Sequence, residues 1–429
     1  MKKKILFLCV CAFAISISSC KKKNDEVVDK PLTLSPLTVE QQKTSLEDNG
    51  IALATKMEEL ENSDAMSAIG SFVQSMQNMN SQPQLVKAFS GLKSNVSSDP
   101  QKTVTKFYSQ LSTAVANNES LWGTWIYSSV NNTFEKESSS TDKKATFKFP
   151  TKNSTSNNAT LNIVYVESNL RVPGEATKLP QSLTLTINVG SKEVLNCQNS
   201  VSFNSDLTPS SLKETLKIDK FNWTFNYTSD TKNIEEKSSL MFDKDVLFKF
   251  EFTTSGNFAL YDIVSQVESM NSYSQNKSII ANTGAIYVQV MNVGIYGSIK
   301  DIKTFLSKIV ILDLDSKYLD SKSEYSSITE MVNLLNSNIV AYAYFVDKKE
   351  KIADLEFYVG EEEYVEMIYD YKTNNYTEIT KTNKTPKARL LMSDKSKQDI
   401  EAFIATGFEK LHNKISSMTA DTTNLVVNN

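Results

Sequence analysis

At 429 residues, with 40% hydrophobic and 22% charged side chains, the chain is long enough to bury sizeable cores and too apolar for wholesale disorder. Lys+Arg at 46 against Asp+Glu at 50 gives a net charge of −4, and Arg171 and Arg389 are its arginines. That balance excludes the dense positive potential nucleic-acid binding needs, and a single histidine leaves no ordinary zinc ligand set.

In chain order, Lys2, Lys3 and Lys4 precede mostly apolar residues from Ile5 to Ile17 and then the small pair Ser18-Ser19. This is the layout of a secretory signal, too short to span a bilayer. Its end, Ile17-Ser18-Ser19-Cys20, resembles the bacterial lipobox, which implies cleavage before Cys20 and diacylation of its thiol. Residues 1–19 are therefore expected to be a signal peptide. Residues 20–37, polar and Pro-punctuated from Lys21 to Pro36, are expected to be a lipidated tether. With Cys9 and Cys11 lost and Cys20 acylated, Cys197 stands alone, in an apolar strand-like stretch that predicts a buried, inert thiol. Beyond the signal the longest apolar run, Ile339 to Val346, is eight residues, so the membrane is reached through lipid.

From Thr38 the apolar spacing becomes helical, which predicts a helical region over 38–120. Ile51, Leu53, Met57 and Leu60, then Ile69, Phe72, Val73 and Met76, then Val104, Phe107, Leu111 and Val115 recur three and four residues apart. Ser63-Asp64 and Ser97-Ser98-Asp99-Pro100 supply cap and breaker chemistry between them. The methionines sit at core spacing and need no ligand role.

After Trp122 the period is two. Phe147 and Phe149 alternate with polar neighbours, as do Leu161, Ile163 and Tyr165, and Leu183, Leu185, Ile187 and Val189 ahead of a Gly190-Ser191 turn. Phe221, Trp223, Phe225 and Tyr227 follow, then Val246, Phe248, Phe250 and Phe252. This predicts an antiparallel β region over 121–256 with one buried face. A short helix carrying Leu260, Ile263, Val264 and Val267 is expected next.

Residues 257–420 read as a mixed region. Ile286–Val293 is a strand, Ile302, Phe305, Leu306 and Ile309 mark a helix, and Ser327 with Glu330 forms a capping box ahead of Met331, Leu334 and Leu335. Ile339–Val346 and Ile352–Val359 flank a polar turn as a hairpin. A final amphipathic helix starts at Ser393-Asp394 and carries Ile400, Phe403, Ile404, Phe408, Leu411 and Ile415 on one stripe. Residues 421–429 are expected to form a disordered tail. The strand–turn–strand layout of Ile187–Val194 is shared by Phe345–Ile352, which leaves open a duplicated unit.

Phe147-Lys148-Phe149-Pro150, Asn157-Asn158-Ala159-Thr160-Leu161, Leu179-Pro180-Gln181-Ser182-Leu183-Thr184-Leu185 and the opening Gln41-Gln42-Lys43-Thr44-Ser45-Leu46 carry a resemblance. They resemble a group of uncharacterised Bacteroidetes envelope lipoproteins with a lipobox, a helical N-terminal segment and a β-rich remainder. The resemblance implies a Gram-negative outer-membrane lipoprotein, periplasmic or surface-exposed, and implies no activity. Asp25-Glu26, close behind Cys20, is similar to the export signals that send some such lipoproteins to the outer leaflet.

Catalytic chemistry finds little purchase. His412 follows the core-stripe residue Leu411, and Gly-x-Ser-x-Gly does not occur, so no catalytic residue is assigned. Asp313-Leu314-Asp315 and Asp243-Lys244-Asp245 place paired acids on one side of an extended segment without the other ligands of a calcium loop. Glu361-Glu362-Glu363 after Gly360 reads as a solvated turn. No metal or cofactor is expected. Gly123-Thr124-Trp125 resembles the Gly-x-Trp of lipocalin first strands, which leaves two readings for Trp125, and with it the strand residue Trp223: contacts of an apolar ligand, or buried indoles of the core. Tyr342, Tyr344, Tyr358, Tyr364, Tyr369, Tyr371 and Tyr376 would stack on sugar rings if exposed.

Together these readings predict an α+β protein: a helical N-terminal region packed with antiparallel β-sheets, and a C-terminal amphipathic helix. The expected role is that of a lipid-anchored, non-enzymatic binding or structural protein of the envelope. Its partners are the membrane, through lipid, and an apolar ligand or a glycan; a carboxylate-based hydrolase is the remaining alternative. Oligomeric state is not encoded in any of these signals.

Overall fold

The computed structural model describes residues 32–79, 82–96, 100–116, 118–171, 178–258, 281–305, 308, 321–370 and 375–414. The signal segment, Cys20 and the first part of the tether, the 260–267 helix, Asp313-Asp315 and the C-terminal tail lie outside them. The chain is a mixed α+β protein built around one large, mostly antiparallel sheet.

Four helices open the described fold: α1 (Val39–Glu61), α2 (Asp64–Met76), α3 (Pro83–Asn95) and α4 (Pro100–Ala116). Three of these starts have a local cause. Thr38 and Gln41 form a reciprocal capping box on α1, Ser63 accepts the Met66 N–H at the start of α2, and Pro83 fills the first turn of α3. Phe72 of α2 is the hub of the packing. Its ring lies 5.0 Å from Phe89 of α3 and 5.6 and 5.3 Å from Phe147 and Phe149 of the sheet. Full burial of such a ring contributes about 2–3 kcal/mol.

The sheet is a meander. Strands β2 (Gly123–Ser128), β3 (Thr133–Ser139) and β4 (Lys144–Phe149) open it, with β2 antiparallel to β3 and parallel to β4. Then β5 (Ala159–Arg171), β6 (Lys178–Val189), β7 (Lys192–Phe203), β8 (Pro209–Ile218), β9 (Phe221–Ser229), β10 (Asn233–Phe242) and β11 (Asp245–Gly256) each pair antiparallel with the next. The order continues through β12 (Ala281–Val290), β13 (Val293–Ile299), β14 (Ile339–Phe345), β15 (Glu350–Asp370), β16 (Asn375–Met392) and β17 (Lys397–Asp399). Because side chains alternate, register puts Ile163, Leu185, Cys197, Leu216, Trp223 and Leu240 in one transverse row, and all six are buried with α2–α4 in the main core.

A second core joins Leu37 and the start of α1 (Val39, Leu46) to Phe345, Ile352, Ala353, Met392 and Phe403. Here Gln42 donates to the Leu37 carbonyl and to Ser393 Oγ, and Glu47 accepts the Lys410 and Leu411 N–H groups. So α1 spans both cores, with Met57 and Leu60 in the first.

Several expectations need correction. The tether is not free up to residue 37: β1 (Thr33–Leu34) pairs parallel with Glu350 and Lys351 of β15. The 286–293 strand is two strands, turned at Met291 with φ 51°. Ser327 and Glu330 lie inside α5 (Ser321–Asn338) and do not start it. Glu361–Glu363 belong to β15 and not to a turn. The final amphipathic helix is broken: Lys397–Asp399 is strand, Asp399 caps a short α6 (Ile400–Ala405), and Gly407 at φ 82° separates it from a helical turn at 409–414. A left-handed residue cannot continue a helix, whatever the apolar spacing around it. Among the described residues no helix is long and apolar enough to cross a membrane.

Candidate functional site

On β14, Ala343 and Phe345 point into the second core, so Tyr342 and Tyr344 stand on the opposite face of the sheet. Register extends that face into two transverse rows over β11–β15. One reads Glu251, Tyr287, Tyr296, Tyr342, Asp354; the other reads Lys249, Gln289, Gly294, Tyr344, Lys351. Tyrosines fill the middle and charges sit at both ends, with Lys249 2.9 Å from Glu251 and Lys351 2.9 Å from Asp354.

The rings form one surface. Tyr296 and Tyr342 have centroids 5.2 Å apart, Tyr342 and Tyr344 6.0 Å, and Tyr344 and Tyr287 6.4 Å. Gly294 makes this closeness possible. A Cβ there would stand 2.8 Å from Tyr344 Cε1 and 3.2 Å from Tyr287 Cε2, so the absent side chain lets both rings lie down on the strand. Tyr287 and Tyr344 are consequently buried, while Tyr296 and Tyr342 remain half-buried. Tyr287 donates its hydroxyl to Gln289 Oε1 at 2.9 Å, and Gln289 Nε2 donates to the Met291 carbonyl. Ammonium groups sit over the outer rings: Lys249 Nζ is 5.6 Å from the Tyr287 centroid and Lys351 Nζ 5.4 Å from that of Tyr342. Burial, then the neighbouring Tyr296 hydroxyl, pushes the Tyr342 phenol up to about 12; burial, then hydrogen bonding with Tyr344, also raises Tyr287. Both stay neutral hydroxyls across physiological pH.

Further along β15 the same face carries Glu356, which accepts from Arg389 Nε at 2.7 Å and Lys397 at 3.3 Å. The Arg389 hydrogen bond comes first among the causes that hold the Glu356 carboxyl below its usual range. The guanidinium lies 4.5 Å from the Tyr358 centroid, and Tyr358 donates to Asp399 at 3.2 Å. The result is a patch of phenol rings edged by carboxylates, ammonium groups and an amide.

The residues singled out from sequence lie as follows. Trp125 stacks on Phe147 with centroids 5.9 Å apart and donates Nε1–H to the Leu121 carbonyl at 2.9 Å, a plate of the main core. Trp223 is 3% exposed and borders a cavity of about 10 Å³, room for one water at most and not for an apolar ligand. Cys197 is fully buried, and burial pushes its thiol up to about 12. His412 is exposed on the 409–414 turn. Asp243 occupies the β10–β11 turn at φ 51°, and Asp245 pairs with Lys56 at 3.1 Å, so the two do not converge. Among the described residues no group of three or more His, Cys, Asp or Glu is placed to hold a metal ion. Tyr369 and Tyr376 pair with each other at 5.0 Å, away from the patch. Sequence reading missed Tyr287 and Tyr296; the signal for both is strand alternation, with Tyr296 beside Gly297.

A second concavity, an open cleft of about 440 Å³, lies between the α1–α2 junction and the β6–β7 turn. Two of its acids, Asp64 and Asp219, are engaged. Lys192 bridges Asp64 at 2.6 Å and Asp219 at 3.2 Å, and Asp219 Oδ2 accepts the Ala65 N–H.

No family model matches this chain, and no curated protein or solved structure matches it.

Proposed function

We propose that this chain is a lipid-anchored protein of the Gram-negative envelope, held at the outer membrane through Cys20, that binds glycan without catalysis on its tyrosine face. The observation that carries the binding half is the registered Tyr287–Tyr296–Tyr342 row on the face away from the helices. A pyranose ring offers an apolar C–H face that packs on a phenol, while its hydroxyls reach carboxylate, amide and ammonium partners. The two rows supply both. The start of α1, packed against the other face of β14 and β15 in the second core, braces that part of the sheet so that the rings are positioned before a ligand arrives. The cleft acids locked by Lys192 support the non-catalytic reading. The anchoring half is supported by the lipobox resemblance.

Affinity electrophoresis in gels containing dextran, a mixed-linkage glucan or a mannan tests the binding. The account predicts that at least one polysaccharide retards the full chain and that Tyr296→Ala/Tyr342→Ala abolishes the retardation. Equal retardation of the double variant would overturn it.

One observation favours a second reading, carriage of an apolar ligand. Phe225, Phe250, Phe252, Val288 and Ile295, on the helix side of β9–β13, are only half-buried. Lipid copurifying with the protein, identified by mass spectrometry, would favour that reading.

A further inference from the structure

Strands β15 and β16 pair without a register break from Ala353↔Met392 to Asp370↔Asn375, far beyond their neighbours. On the outer edge of β15, β14 stops pairing at Asp354; on the outer edge of β16, β17 reaches only Arg389 to Leu391. Past the sheet, Asn336 of α5 satisfies the outward N–H and C=O of Phe357 with its amide, at 2.8 Å each. Beyond Phe357 the pair continues as a two-stranded arm. At ~3.3 Å per residue, the stretch to Asp370 measures about 40 Å. No described strand pairs with either of its outer edges. A ribbon of two strands is marginal in water, and a long unpaired edge is a template for another strand.

The two edges differ in charge. Glu361, Glu362 and Glu363 lie on β15, all exposed, whereas Lys381, Lys384 and Lys387 lie on β16. Val365, at 59%, and Met367, at 55%, are exposed on the same strand face as Tyr376, at 65%.

We propose that a second copy of this chain docks along the arm, the outer edge of β15 in one copy pairing with the outer edge of β16 in the next. Charge chooses this pairing. Two β15 edges would set glutamates against glutamates and two β16 edges lysines against lysines, both unfavourable. The pairing of β15 with β16 repeats the antiparallel match already made inside the arm, where Glu361 faces Lys384. It also leaves neighbouring copies related by translation, with their arms pointing the same way. The tether enters beside Glu350, at the end of β15 opposite the arm tip, so copies held in one membrane already share that orientation. This last point rests on the lipid-anchor reading; the charge argument does not. The contact is head-to-tail, so it propagates rather than closing at two copies.

Sedimentation of the full chain tests the proposal. Wild type is expected to associate in a concentration-dependent way. Glu361→Lys/Glu362→Lys/Glu363→Lys and Lys381→Glu/Lys384→Glu/Lys387→Glu should each raise the association midpoint at least tenfold, and a mixture of the two should recover it. A variant carrying all six changes restores the match within the arm and should associate as wild type does. Hydrogen exchange on the unmutated chain avoids any folding defect: amides of residues 376–387 should exchange more slowly as concentration rises. A wild type that stays monomeric, triple variants that associate unchanged, or exchange independent of concentration would each overturn the proposal.

Discussion

Glu214 stands on β8 facing the main core, 7% exposed, with Asn199 donating to its Oε1 at 3.0 Å. Burial is the first cause that pushes its carboxyl up to about 7 from an ordinary 4.5. The folded state therefore holds this proton more tightly than the unfolded chain. The stability it contributes is complete below about pH 4.5, declines as pH rises, and is gone above about pH 7. At ~1.4 kcal/mol per pH unit the loss is bounded at about 3 kcal/mol. Glu214→Gln, which stays neutral, should flatten the melting temperature between pH 5 and 7.5 and exceed wild type at the upper end; thermal denaturation across that range checks it. At this scale the sequence was informative where chemistry is local. Cys197 between apolar neighbours announced a buried thiol, and Ser63-Asp64 announced a helix start. The tryptophans were less legible, because an indole in a strand has the same signature whether it lines a ligand cavity or fills a core. Packing of Trp125 on Phe147, contributed by a strand some twenty residues away, decides the matter.

Elements were legible in proportion to how far their own periodicity determined them. Helices α1, α2 and α4 and the strands with runs of alternating aromatics stand where their spacing put them. Missed were α3, although Leu85, Ala88, Phe89 and Leu92 have helical spacing, and the polar strands β3, β8 and β10, whose outward residues dilute the alternation. The broken terminal helix is the instructive error. Ile400, Phe403 and Phe408 do face one core, but from a short helix and a following bend, because Gly407 is left-handed and Lys397–Asp399 pairs with β16. Apolar spacing reports which side chains are buried and leaves open whether one helix carries them. The 345–352 hairpin was foreseen; its extension into an arm was not, since Glu361–Glu363 carries no strand signal and acquires one only by pairing with Asn383, Thr382 and Lys384.

At the scale of the molecule, helices pack against one face of a continuous meander in two separate cores, leaving its β9–β13 part half-covered, and α1 ties both cores together. The tyrosine face could be half read from sequence: Tyr342 and Tyr344 were visible, but the rows exist only once β12, β13 and β14 are in register. The proposed anchoring is tested at this scale too. Labelling cells with radioactive palmitate should mark the wild-type protein and leave Cys20→Ser unlabelled and in the soluble fraction; label that survives the substitution would remove the anchor from the account. The central claim is that the phenol rows recognise sugar. A glycan array probed with the full chain and with Tyr296→Ala/Tyr342→Ala tests it most directly. The account predicts a defined set of bound glycans for the first and none for the second, and an array on which the two proteins give the same pattern would contradict it.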